Sequence, residues 1–163
     1  MATRPAPTEL TLSDAEATAR LGRWLASQLK AGDTVLLQGP IGAGKSHLAR
    51  ALIRARLLAN EDIPSPTYTL VQTYDVGECE IWHADLYRLS GPDEAVELGL
   101  EDAFADAIVL VEWPDRLGDL APDTALTLSL SATPDDRRRV MAAARSPRWN
   151  PVLQALETGG WGG

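Results

Sequence analysis

The sequence predicts an α/β fold, a single domain with a mixed, partly antiparallel sheet flanked by helices. Three observations carry this. Helical and strand-like patterns alternate through the first half of the chain, and strands dominate the second. A Gly-rich segment, Gly39-Pro40-Ile41-Gly42-Ala43-Gly44-Lys45-Ser46, lies between a short apolar run and a helical pattern, which is the strand–loop–helix setting of a P-loop. The chain has 163 residues, 45% hydrophobic and 23% charged, a balance that suits one domain with a real core.

In chain order, residues 1–8 are Pro-rich and polar and are expected to be flexible. Ser13-Asp14-Ala15-Glu16 has capping-box spacing with Ser13 as the cap, and Leu21, Trp24, Leu25 and Leu29 follow at helical intervals until Gly32. Thr34 to Gln38 reads as a buried strand, and Lys45 to about Ala59 as a helix with Leu48, Leu52, Ala55 and Ala59 on one side. Pro64 and Pro66 break the pattern. Tyr68–Tyr74 and Glu80–His83 read as strands joined around Asp75–Glu78 in a hairpin.

Asp93–Leu98 and Glu101–Ala105 are short helical pieces, and Ala107–Val111 is the most apolar strand. Leu126–Leu130 and Arg139–Ala144 follow as strands around the turn Thr133-Pro134-Asp135-Asp136, and Pro151–Leu156 as a closing helix. The expected organisation is a flexible 1–8, a P-loop domain over 9–157 and a flexible Gly-rich tail over 158–163.

Composition excludes several classes. One cysteine, Cys79, allows no disulfide framework and no Cys-rich metal site. No apolar run is long enough for a membrane helix, and the start MATRPAPTEL lacks the apolar region of a secretory signal. A cytoplasmic protein without membrane contact is expected. The net charge of −8 opposes direct binding of nucleic acid, which needs a positive field.

The loop carries the chemistry. Glycines let the backbone curl around phosphate oxygens with its N–H groups inward, and the following helix start adds partial positive charge. Lys45 would neutralise β- and γ-phosphate charge, and the Ser46 hydroxyl would ligate Mg²⁺. Lysine is scarce here, with only Lys30 and Lys45 present.

Such sites need an acidic residue at the end of a neighbouring buried strand, and Glu112 closes the strand that starts at Ala107. Trp113 beside it would either stack at the pocket or pack elsewhere. Asp85, just beyond a strand, would orient or deprotonate an attacking water, or serve only as a turn residue. Ser65-Pro66-Thr67 is a Pro-stiffened loop. His83, in a strand, reads as structural, and Arg137-Arg138-Arg139 as a solvated strand start or a contact to a partner or RNA.

Four segments, GPIGAGKS, SPTYTLV (Ser65 to Val71), HADLYRL (His83 to Leu89) and LVEWP (Leu110 to Pro114), in this order and spacing closely resemble the bacterial TsaE (YjeE) family. These are small ATPases of tRNA threonylcarbamoyladenosine formation. The resemblance covers roughly residues 10–145. It implies that Gly39 and Gly42, Ala43, Gly44, Lys45, Ser46 and His47 hold ATP phosphates, largely through backbone N–H groups, with Trp113 near the nucleotide. It further implies Mg²⁺ on Ser46 and Glu112, a first switch containing Ser65 and Thr67, and Asp85 as catalytic carboxylate. The implied partner is a TsaB–TsaD pair, with tRNA reached only indirectly.

Two competing functions share the loop. A small-molecule or nucleotide kinase would want several arginines closing on the phosphates, and between Arg56 and Arg116 only Arg88 is available. A nucleotide-dependent binding module would keep partner binding when Asp85 is replaced.

Overall fold

The computed structural model describes residues 7–57, 63 and 70–162. Seven strands form one sheet in the order β1-β7-β6-β2-β5-β4-β3. The centre is parallel: β2 (Thr34–Gln38) lies between β6 (Leu126–Ala132) and β5 (Ile108–Glu112), and β5 pairs with β4 (Glu80–Asp85). Both edges are antiparallel, with β3 (Val71–Asp75) on β4, and β7 (Arg138–Ala144) between β6 and β1 (Thr8–Leu12). The mixed sheet is therefore as the sequence predicts.

Alternation along the strands builds two cores. Val35, Leu37, Ile108 and Leu110 face α1 (Ala15–Gln28), α2 (Lys45–Arg56) and α5 (Asn150–Thr158). Leu36, Val109 and Val111 face the layer of α3 (Pro92–Glu97) and α4 (Leu100–Asp106). β5 is buried at every position, as a central strand covered on both sides must be. α1 and α2 pack so closely that a Cβ on Gly22 would stand 2.7 Å from the Leu48 carbonyl oxygen. Arg56 closes this pair by donating to the Ala26 and Leu29 carbonyls at 2.7 and 2.8 Å, filling acceptors left at the C-terminus of α1.

Several expectations are corrected. The cap of α1 is Asp14, whose carboxylate accepts from Ala17 N–H at 2.8 Å, and not Ser13. Aspartate caps as well as serine, and Glu16 pairs instead with Arg23 at 2.7 Å. α1 ends at Gln28, and Gly32 (φ 93°) serves the turn into β2. α2 ends at Arg56, before the expected Ala59.

β1 has no counterpart in the sequence reading, which left Thr8 in a flexible segment; it is an edge strand held by β7. In the expected flexible tail, Gly159 caps α5 at φ 81° and Trp161 is buried in the α-side core. A 3-10 stretch, Pro114–Leu120 and kinked at Gly118, follows β5. The C-terminal segment is tied back to the sheet: Arg148 Nη2 donates to Asp33 at 2.8 Å, and Trp149 Nε1 to the Thr124 carbonyl at 2.7 Å.

Candidate functional site

The site forms where three parallel strands end side by side. Leu37 of β2 is registered with Glu112 of β5, and Glu112 with Asp85 of β4. Ligands in open α/β sheets bind at such carboxyl ends. From β2 the chain enters the loop, and Gly39 (φ 140°) is its root. A Cβ there would stand 2.2 Å from the Leu130 carbonyl oxygen of β6, so no other residue fits. Gly44 (φ 103°) precedes α2, and Lys45 is the first helical residue. The first N–H groups of α2 have no helical acceptors and carry partial positive charge.

A cavity of about 510 Å³ opens here, lined by Gly42, Gly44, Lys45, Ser46, His47, Asp85, Glu112 and Trp113, all expected from sequence. Ile41, Arg50, Tyr87 and Arg88 also line it, of which HADLYRL already contained Tyr87 and Arg88. Gly39 and Ala43 do not line this cavity. Gly39 packs on β6, while Ala43 is buried with its N–H on the Pro40 carbonyl at 3.2 Å. Ser65 and Thr67 lie outside the described residues. The His47 ring turns away, its Nε2 hydrogen bonded to the Ala15 carbonyl at 2.9 Å, leaving its backbone to the loop.

Lys45 is 5% exposed. Its ammonium donates to the Gly39 carbonyl and lies 3.7 Å from the centroid of the Trp113 ring. Burial pushes the ammonium below its ordinary pKa, against the opposing pull of the Glu112, Asp85 and Asp115 carboxylates. Trp113 is held in the left-handed region (φ 60°, ψ 54°), with Tyr87 tilted against it at 4.9 Å between centroids.

Glu112 is 3% exposed. Both its oxygens face the Ser46 hydroxyl, at 2.9 and 3.0 Å, and Oε2 also accepts from His83 Nε2 at 2.7 Å. Burial pushes the Glu112 carboxyl up; hydrogen bonds from His83 and Ser46, with the charge of Lys45, outweigh it and hold the group below its ordinary value. Asp85 Oδ1 accepts from Tyr87 N–H at 3.1 Å, fixing the turn after β4.

The donor set fits a small hard cation. No group of three His, Cys, Asp or Glu side chains arranged for a metal occurs among the described residues. Mg²⁺ needs none, because it is bound through one or two protein oxygens plus phosphates and water. Ser46 and Glu112 could supply those oxygens, and Lys45 with the start of α2 could hold phosphate. Sequence alone makes His83 structural; the alternation His83-x-Asp85 is the one signal of its place beside Glu112.

No helix among the described residues is long and apolar enough to cross a membrane. By structure the chain is similar to Bacillus subtilis YdiB, with a TM-score of 0.77 over 98% of this chain and 99% of that one; at 22% identity this shows the fold. By sequence it is 39% identical to the tRNA threonylcarbamoyladenosine biosynthesis protein TsaE of Rickettsia conorii, covering 78% of this chain and 73% of that protein. The same-named protein of Nostoc sp. is 38% identical (76% and 78% covered), and that of Treponema pallidum 32% (79% and 95%). Residues 12–140 match the family described as threonylcarbamoyl adenosine biosynthesis protein TsaE. That span runs from the end of β1 into β7 and contains the loop and both strand-end carboxylates, and the chain belongs to the TsaE family.

Proposed function

We propose that this protein is a Mg²⁺-dependent ATPase whose cycle drives a TsaB–TsaD-type pair during threonylcarbamoyladenosine formation on tRNA in the cytoplasm. The observation that carries the reading is the convergence of Lys45, Ser46, Glu112 and Asp85 at the ends of β2, β5 and β4. The 9–157 segment would be the ATPase domain.

In this reading the N–H groups of the loop and the first turn of α2 bind the phosphates, and Lys45 leaves Gly39 to neutralise them. Ser46 and Glu112 would hold Mg²⁺, which supplies charge neutralisation on the β- and γ-phosphates. Asp85 would orient the water and take its proton as the water oxygen bonds to the γ-phosphorus and the bond from that phosphorus to the ADP oxygen breaks. Trp113 covers the pocket. Ser65 and Thr67 act as a first switch, a role that rests on the family resemblance alone.

Hydrolysis by the isolated protein is slow. Arg50 and Arg88 line the cavity, and no arginine finger supplements Lys45 unless Arg88 swings in; such a finger is worth roughly 10³–10⁵ in rate where it operates. A partner that completes the site would then trigger hydrolysis, and the resulting conformational change would act on that partner. tRNA is engaged through the pair, since the net charge is −8.

The test is ATP turnover with and without the pair and tRNA, alongside modification assays with limiting enzyme. Stimulated hydrolysis and multiple rounds of modification are expected. Lys45→Ala should weaken ATP binding at least 100-fold by calorimetry, an estimate from removing a buried charge opposite phosphate. Multiple turnovers that proceed equally well with Lys45→Ala, or with no protein added, overturn the reading.

A further inference from the structure

Glu112 is gripped from two sides. The Ser46 hydroxyl reaches it from the start of α2, and His83 Nε2 reaches Oε2 at 2.7 Å from within the core. Carboxylate oxygens only accept, so Nε2 carries the proton. The ring is completely buried, and its Nδ1 has no hydrogen-bond partner. A buried polar atom left unmet calls for an explanation, because an apolar side chain in this strand would pack without that cost.

The sheet explains how His83 arrives there. Period-two alternation puts Ile81, His83 and Asp85 on one face of β4. Pairing with β5 sets Asp85 beside Glu112 and His83 beside Leu110, one step further into the core. His83 therefore lies beneath the Glu112 carboxylate, and the cavity lies above it.

We infer that His83 is the positioning residue of the metal-holding pair, its Nε2–H fixing Glu112 Oε2 so that the carboxylate meets a divalent cation at Ser46 in one orientation. This rests on the proposed role of Ser46 and Glu112. A glutamate at a strand end has several rotamers, and a short bond between N–H and carboxylate selects one. Groups that orient metal ligands in this way are typically worth about 10–100-fold in metal affinity.

The test measures ADP binding by calorimetry without metal and across a Mg²⁺ titration, repeated with Mn²⁺ followed by its paramagnetic resonance. His83→Leu keeps the apolar bulk and removes the donor. His83→Gln keeps an N–H with the reach of Nε2. The expected result is a metal constant weakened about 10–100-fold in His83→Leu, unchanged metal-free ADP affinity, and recovery to within about threefold in His83→Gln. If His83→Leu does not fold, His83→Asn, whose amide is too short to reach Oε2, should show the same loss.

Metal constants equal to wild type in the donor-less variant overturn the inference, as do equal losses in His83→Leu and His83→Gln, which a packing role would give. ADP affinity of the wild-type protein that ignores both metals overturns instead the assignment of Ser46 and Glu112.

Discussion

The Lys45 ammonium sits over the Trp113 ring, 3.7 Å from its centroid. A cation over an indole face is worth about 0.5–2 kcal/mol, more when desolvated, and Lys45 is buried. The indole is presented by a residue at φ 60°, a left-handed conformation that costs a non-glycine side chain about 1–3 kcal/mol. Surrounding contacts, Tyr87 among them, hold Trp113 there. The residue that would neutralise phosphate is thus coupled to an aromatic reporter.

That coupling predicts a fluorescence signal. Nucleotide that draws Lys45 towards phosphate changes the field on the indole, so ATP or ADP should alter emission. Trp113→Phe should remove most of the change. A signal that survives the substitution would come from Trp24, Trp82, Trp149 or Trp161 and would place Trp113 outside the response.

Glu112→Gln and Asp85→Asn should fail differently. On the proposed assignment of Glu112 to Mg²⁺, loss of its charge should raise the Mg²⁺ concentration needed for hydrolysis about tenfold or more. Asp85→Asn should keep ATP affinity within a few-fold and lower turnover by about 10²–10⁴. Steady-state rates at varied Mg²⁺ and varied ATP separate the two, and wild-type turnover by Asp85→Asn would remove Asp85 from the chemistry.

Acid stability should report on Glu112. Its carboxyl is held below the ordinary value of 4.5 despite burial, by His83, Ser46 and Lys45. Folding therefore favours the ionised form, and the associated stability is present above that ordinary value and lost as pH falls through the lower folded one. Denaturant unfolding from about pH 6 down to about pH 3 should show a steeper loss for wild type than for Glu112→Gln. Parallel curves would contradict the assigned direction.

The α1–α2 contact admits no side chain at Gly22, where a Cβ would stand 2.7 Å from the Leu48 carbonyl and 3.0 Å from Ala51 Cβ. Gly22→Ala should cost about 1–3 kcal/mol, the range for overpacking against backbone. Gly91→Ala is the control, since a Cβ there meets nothing within 4 Å; it should change stability by about 0.5 kcal/mol or less. Thermal unfolding of both variants decides the matter.

The sequence by itself determined whatever local chemistry and periodicity encode. Residues 39–46 are contiguous, and their glycines, lysine and serine can be read without knowing any neighbour. β2 runs from Thr34 to Gln38, as its β-forming apolar run predicts. The burial of Ile108–Val111 follows from an uninterrupted apolar run. β1 is not legible in the sequence because TELTL is short and largely polar, and an edge strand becomes one only when β7 supplies its hydrogen bonds. The Gly-rich tail likewise gave no sign that the core would take Trp161.

Only the tertiary structure decided which strands lie side by side. Alternation says which face a residue takes but not which strand is its neighbour. The pairing of β4 with β5 brings His83 to Glu112 across 29 positions of sequence, and the placement of α2 over β5 brings Ser46 to the same carboxylate across 66. Contacts of that separation are fixed by sheet order and packing, so the loop was legible in the sequence while the orientation of Glu112, and the histidine beneath it, were set by the fold.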